Sequence, residues 1–249
     1  MADVYGRAFD VGVLAEDVGG AVTGWSGPVT QNLHQPRPRS GGGWRARLYD
    51  AAIVPVTAPY YRVVLQQLPV RTRMLDVGIG TGAALAASAD LILKHDLRVH
   101  GIDTNLRYLA RCAQHLECAD LQQNVTIEPI SVYDHADGPY DAAYFSDSLM
   151  VLPDPARAVR HVADQLTDRG RVYFTQTFHD HRMPLLEWLK PRAWWLTTID
   201  FGRVTYEQDF RATVVDHAGL DLDVLQVLRR SRRSSHRLAV ARLRAPARS

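Results

Sequence analysis

The segment Met74 to Ala83, MLDVGIGTGA, concentrates the chemistry of this sequence. A short apolar run delivers the chain to three alternating glycines, Gly78, Gly80 and Gly82, which permit a tight turn and a close approach of backbone to a ligand. A helix opening just beyond would aim its N-terminal N–H groups at the same place and favour a negative group there. Asp76, two residues before the first glycine, sets a carboxylate beside the turn. Gly78, Gly80 and Ala83 also satisfy the G-x-G-x-x-G/A spacing of a dinucleotide site. Asp76 argues against that alternative, because a carboxylate sits badly beside a pyrophosphate and well beside an ammonium group.

Those residues need a scaffold, and the pattern around them supplies one. Met74–Val77 reads as a strand, followed by an Ala/Leu-rich helix to about Lys94. Arg98–Asp103 is a second strand, and Thr104–Cys118 a helix with Leu106, Leu109, Ala110, Ala113 and Leu116 on one stripe. Val125–Ile130 and Tyr140–Ser146 are strands three and four. Asp154-Pro155 opens a helix that Gly170 is expected to close, and Arg171–Phe178 is strand five. Thr205 and Gln208 form a capping-box signature for a helix stopping at Gly219. Leu222–Leu228 and Leu238–Leu243 are joined by too few residues for a crossover, so they should pair antiparallel. The fold class is therefore α/β: a seven-stranded, mostly parallel sheet with helices on both faces and a C-terminal antiparallel hairpin. That closing hairpin also speaks against a standard dinucleotide fold.

Residues 1–43 are dense in Gly, Pro, Ser and Thr and read as an irregular or mobile N-terminal extension; residues 44–249 form the folded domain. Trp44 to Leu68 carries helical patches that Pro55 and Pro59 should break. The 249 residues hold 46% hydrophobic and 22% charged side chains with a formal net charge of +2, ordinary for a soluble globular chain. Neither a secretory signal nor an apolar run of spanning length is visible, so a cytoplasmic location and no membrane span are expected. Arg-rich, Lys-poor usage points to a bacterial source. Cys112 and Cys118, on different faces of one helix, read as two thiols.

In combination, MLDVGIGTGA, GIDTN, YDAAYFSDS, LPDP and DRGRVYFTQTF resemble the class I S-adenosylmethionine-dependent methyltransferases, over about Trp44 to Leu243. The likeness is to the small-molecule branch, which includes ubiquinone/menaquinone-type and secondary-metabolite enzymes, with a Rossmann-like fold. The resemblance implies S-adenosylmethionine as cofactor and S-adenosylhomocysteine as product. Gly78, Gly80 and Gly82 would wrap the methionine part, and Asp76 would meet its amino group. Asp103, followed by Thr104, would accept hydrogen bonds from the ribose hydroxyls. Val132 or Tyr133 would pack on the adenine, and Asp134 would meet its amino group, with Asp137 as competitor. By the same resemblance Ser146 would end strand four beside the reactive methyl, and Tyr49, of the Tyr49-Asp50 pair, would close over the cofactor.

The acceptor should bind outside the carboxyl ends of the strands. Asp147, His179 and His181 are the residue types there that can orient an acceptor or take its proton. His179-Asp180-His181 also suggests metal ligation, but no third ligand has clear spacing, so no metal site is read from it. Residues 179–204 form an insertion with Trp188, Trp194, Trp195 and Phe201, either a lid over an apolar acceptor or a helix packed on the core. Eight arginines and no acid follow Asp223, four of them at Arg229, Arg230, Arg232 and Arg233. With no aromatic platform beside them, nucleic acid is not the expected partner. A small, apolar or aromatic metabolite is, with a homodimer also admitted. An RNA or protein methyltransferase using the basic hairpin, and a cofactor-binding relative that transfers no methyl, stand as alternatives.

Overall fold

The computed structural model describes residues 57–180 and 205–244. The apolar runs form β1 (Arg73–Val77), β2 (Arg98–Ile102), β3 (Val125–Glu128), β4 (Tyr140–Ser146), β5 (Leu166–His179), β6 (Leu220–Arg230) and β7 (Ser234–Leu243). They make one seven-stranded sheet in the order β3-β2-β1-β4-β5-β7-β6. The first five strands run parallel; β7 is antiparallel to both β5 and β6. The chain thus reverses its winding between β1 and β4, and the carboxyl ends of those two strands frame a crevice suited to ligands.

Alternation along each strand divides the core in two. On one face Leu75, Val77, Phe145, Val172, Phe174 and Phe178 pack against α5 (Pro155–Ala163) and α6 (Glu207–Arg211). On the other, Met74, Val99, Tyr144 and Tyr173 pack against α1 (residues 57–65), α2 (Ala83–Ala86), α3 (Ala89–Lys94) and α4 (Leu106–Cys118). Helices therefore cover both faces, as a parallel sheet requires. Cys112 is buried and Cys118 exposed, both as free thiols. Among the described residues no helix is long and apolar enough to cross a membrane.

Several boundaries depart from the sequence pattern. The helix expected through Lys94 is two short pieces, α2 ending at Ala86 and α3 starting after Ser88, whose hydroxyl makes no capping hydrogen bond. α4 starts at Leu106, since Asn105 caps it by accepting from the N–H groups of Arg107 and Tyr108. Asp154 caps α5 as expected, but α5 ends at Ala163, and Gly170 lies inside β5. A Cβ there would stand 2.7 Å from that of Leu166, so close packing within the strand is what the glycine serves. Thr205 is not the cap of α6: Tyr206 holds that position, and Thr205 bridges to Phe178 and accepts from the His179 N–H at 2.9 Å. α6 continues through a π-helical stretch, Ala212–His217, and Gly219, at φ 79°, ends it. Pro59 lies within α1 without interrupting it. β6 and β7 extend into the arginine-rich connection, leaving residues 231–233 as the turn. The extension over residues 1–43 and the Trp-rich stretch from His181 to Val204 lie outside the described residues.

Candidate active site

The glycine turn has the geometry its composition requires. Gly78, Gly80 and Gly82 have φ of 78°, 60° and 63°, in the left-handed region. Space is also short: a Cβ on Gly82 would lie 2.4 Å from the Cys112 sulfur, and one on Gly78 2.8 Å from the Ser148 Cβ. The turn is tied to the end of β2 by the Gly78 and Ile79 N–H groups, which donate to the Ile102 carbonyl at 2.8 and 3.2 Å. Ser148 donates to the Val77 carbonyl, so the end of β4 braces the turn from the other side.

Asp76 is fully buried beneath this turn. The Tyr61 hydroxyl, from α1, donates to its Oδ2 at 2.9 Å, while Oδ1 has no hydrogen-bond partner. Burial pushes the Asp76 carboxyl up to about 7, against the pull of the Tyr61 hydrogen bond. Ser146 interacts with both Tyr61 and Tyr144, and the Tyr144 hydroxyl meets the Thr175 hydroxyl at 2.6 Å. A chain of buried hydroxyls thus joins α1, β4 and β5 below the turn.

Asp103 closes the same crevice. Its Oδ2 accepts from the Gly80 N–H at 3.0 Å and its Oδ1 from the Asn105 N–H at 2.8 Å, and burial raises its pKa despite them. Beside it Thr104, Asn105, Leu106 and Arg107 line an open depression of about 580 Å³. Leu106, 68% exposed, is an apolar side chain left at its rim, a role the helical stripe did not suggest. After β3, Val132 is buried and Asp134 exposed in the following turn. The Tyr133 hydroxyl donates to the Asp154 carbonyl and accepts from the Asp154 N–H, both at 2.9 Å, holding the ring against α5 with Arg157 over it. Asp137 pairs with Arg73 at 2.8 Å; Arg73 opens β1, so Asp137 sits at the amino edge, away from the glycine turn.

The wall beyond the crevice is built by residues far apart in sequence. Asp147, at φ 51°, donates its N–H to the Thr175 carbonyl, and its carboxylate lies 3.7 Å from Nε2 of His236 on β7. His236 stacks on Tyr60 with ring centroids 3.8 Å apart and planes at 8°. Its Nδ1 meets the Thr177 hydroxyl at 3.1 Å, and its buried Nε2 has no hydrogen-bond partner. Burial, with Arg229 nearby, lowers the His236 pKa to about 4, so the ring is neutral at pH 7. Arg229 also hydrogen-bonds Tyr60. His179 ends β5 opposite Ser234. The sequence pointed to Asp147 and His179; Tyr60 and His236 were missed, because nothing in "RSSHRL" marks a histidine that only the antiparallel return of β7 brings to this edge. Tyr49 and His181 lie outside the described residues.

Residues 75–172 match the family model described as Methyltransferase domain. Phosphoethanolamine N-methyltransferase 2 of Caenorhabditis elegans is 29% identical over 103 residues, a match spanning 41% of this chain and 23% of that protein's length. Among solved structures, the geranyl diphosphate methyltransferase complex with S-adenosylmethionine aligns with a TM-score of 0.61 at 12% identity, covering 83% of this chain and 92% of that one. Mitomycin 7-O-methyltransferase MmcR gives 0.62 at 17%, covering 79% and 57%, and the [4+2]-cyclase SpnF 0.63 at 15%, covering 76% and 82%. Residues 75–172 therefore resemble a methyltransferase domain, and the sheet shares the fold of these solved structures. The site fits S-adenosylmethionine on its own terms: the partnerless Oδ1 of Asp76 suits an ammonium group, and Gly78 and Gly82 leave no room for side chains while the space beside Gly80 stays open.

Proposed function

We propose that this chain transfers a methyl group from S-adenosylmethionine to a small-molecule acceptor held at the carboxyl edge of β4, β5 and β7. One observation carries the reading: a fully buried carboxylate with one oxygen unpartnered, beneath a turn of three left-handed glycines. The bound cofactor supplies an already activated sulfonium methyl, so the protein contributes chiefly alignment and exclusion of water. Asp76 pairs with the amino group; Gly78, Gly80 and Gly82 follow the methionine part; Asp103 and Thr104 meet the ribose. Leu106 and Val132 offer apolar contacts to the adenine, with Asp134 and Tyr133 on the same loop. Asp147 orients the acceptor, and neutral His236 takes a proton at Nε2 when the attacking atom carries one; the Asp147 carboxylate then stabilises the imidazolium. His179 lines the same edge.

The flat Tyr60–His236 pair favours an aromatic or apolar acceptor. Arg229 beside it favours a second reading, an acceptor with an anionic group, and relatives named for phosphoethanolamine and geranyl diphosphate agree with that. An RNA or protein acceptor draws less support. Arg237 is paired with Glu207, and Arg242 and Arg244 with Asp221 and Asp223, so three of the eight arginines after Asp223 are already neutralised.

Titration calorimetry with S-adenosylhomocysteine and with NADH tests the cofactor; binding of NADH alone overturns the proposal. A panel of aromatic and phosphorylated metabolites, assayed for S-adenosylhomocysteine release, tests transfer against a cofactor-binding relative that transfers no methyl. For a protonated nucleophile His236→Ala should lower kcat by about 10²–10⁴-fold. Full turnover in both His236→Ala and Asp147→Ala would remove these two residues from the mechanism.

A further inference from the structure

On the α5 side of the sheet, remote in sequence from the glycine turn, three potential ligands converge. They are His100 in the middle of β2, Glu128 at the end of β3, and His135 in the loop over residues 129–139; one donor atom from each lies within 4.8 Å of the others. His100 Nε2 stands 3.3 Å from Glu128 Oε2, and His135 Nδ1 3.6 Å from the same oxygen. The two imidazoles are nearly perpendicular, at 82°, with centroids 4.9 Å apart. Their outer nitrogens, His100 Nδ1 and His135 Nε2, both meet the buried Tyr140 hydroxyl, at 2.8 and 2.9 Å.

Hydrogen counting shows what this arrangement lacks. The Tyr140 hydroxyl has one hydrogen to give. If it donates to one neutral imidazole, that ring turns its N–H toward Glu128. The other ring must then donate to Tyr140, and its remaining nitrogen aims a lone pair at the carboxylate, at 3.3 or 3.6 Å. Two lone pairs facing each other across that gap repel, and either a proton on that ring or a cation between them removes the repulsion. With a metal ion there, both inner nitrogens and Glu128 Oε2 become ligands and both outer N–H groups donate to Tyr140. That is the second-layer hydrogen bonding which fixes metal-bound histidines. The separations suit the metal as well: tetrahedral zinc with bonds of about 2.0–2.1 Å sets its ligand atoms roughly 3.3–3.5 Å apart.

We propose that His100, Glu128 and His135 form a binding site for a divalent transition-metal ion of the zinc class, with Tyr140 as the group that orients both histidines. His135 is almost fully buried, while Glu128 is 43% exposed and opens the site to solvent, leaving a fourth position for water. Asp137, paired with Arg73, stays outside the ligand set, 3.5 Å from His100 Nδ1. The ion would clip β2, β3 and the loop that carries Val132, Tyr133 and Asp134. Its role is structural, and it does not depend on the methyl-transfer reading.

The test uses the full chain stripped with a chelator, then titrated with Zn2+ in competition with a chromophoric chelator, and separately with Co2+ and Mg2+. Expected are binding of a single zinc ion, a rise in melting temperature, four-coordinate Co2+ absorption in the visible, and no response to Mg2+. Glu128→Gln, at the half-exposed ligand, should keep the fold and lose at least about 100-fold in zinc affinity. Tyr140→Phe should weaken it by about 10–100-fold, as loss of an orienting partner does. Absence of saturable zinc binding by the unaltered chain overturns the proposal, as does unchanged affinity in a folded Glu128→Gln.

Discussion

Asp76 places a carboxyl where charge is costly, and its two oxygens are treated differently. Tyr61 satisfies one; the other waits for a partner. With its pKa pushed to about 7, the carboxyl is protonated in half the molecules at neutral pH and must ionise to pair with an ammonium group. Ligand binding is then linked to proton release below pH 7. The dissociation constant of S-adenosylhomocysteine should rise toward tenfold per pH unit as pH falls from 7 to 5, and change little between about 7.5 and 8. Calorimetry in buffers of different ionisation enthalpy measures that proton directly; no release at pH 6 would show that Asp76 does not meet the amino group. Asp76→Ala should abolish the pH slope along with much of the affinity. At Gly82 the constraint is steric instead. Gly82→Ala puts a Cβ at φ 63° and 2.4 Å from the Cys112 sulfur, so the turn must shift. Strain of about 1–3 kcal/mol is expected, read as a lower urea midpoint, with cofactor affinity falling further than stability does.

At the scale of elements, the pattern of strands and the closing hairpin were legible because each rests on short-range alternation. Asp154 capped α5 as expected because that cap needs only its own next three residues. Thr205 misled because its backbone is committed elsewhere, to the edge of β5 at Phe178 and His179; a local capping signature yields to a tertiary hydrogen bond. Gly170 misled for a related reason: it relieves packing against Leu166 inside a strand rather than ending a helix. The candidate site divides the same way. Asp76, the glycines and Asp103 lie in one βαβ unit and could be read together. His236 meets Asp147, and His100 meets His135, only through strand pairing and loop return, which leave no local trace. The packing that holds these elements is concentrated in aromatic contacts. Phe174 stacks on Phe145 and meets Phe210 edge-on, each with centroids 5.3 Å apart, so it ties β4 and β5 to α6. Phe174→Ala should cost about 3–5 kcal/mol, seen as an earlier urea transition, and should loosen the β5–β7 edge that carries His236.

For the whole molecule, two buried groups on the same side of the sheet pull stability in opposite directions with pH. Asp76 has a folded pKa of about 7, above its unfolded value of 3.8. Between pH 4 and 7 the folded chain therefore holds a proton that the unfolded chain has lost, so stability falls as pH rises, by up to about 4 kcal/mol in total. His236 has a folded pKa of about 4, below its unfolded value of 6.5. Over that window the unfolded chain is the one holding the extra proton, and stability rises with pH by up to about 3 kcal/mol. The two slopes nearly cancel between pH 4 and 6.5, and the free protein should show little dependence on pH from this pair. Removing one exposes the other. Asp76→Asn should leave a gain in melting temperature from pH 4 to 6.5, whereas His236→Gln should leave a loss. S-adenosylhomocysteine offers an independent check. At a hundredfold excess over its dissociation constant it adds about 2.7 kcal/mol. At a fixed concentration that addition should be larger at pH 8 than at pH 5.5, because only the ionised Asp76 pairs with the ligand. Thermal melts of the unaltered chain and both variants across this range, with and without ligand, read all of these signs. A wild-type-like slope in both variants would mean that neither group carries the linkage assigned to it.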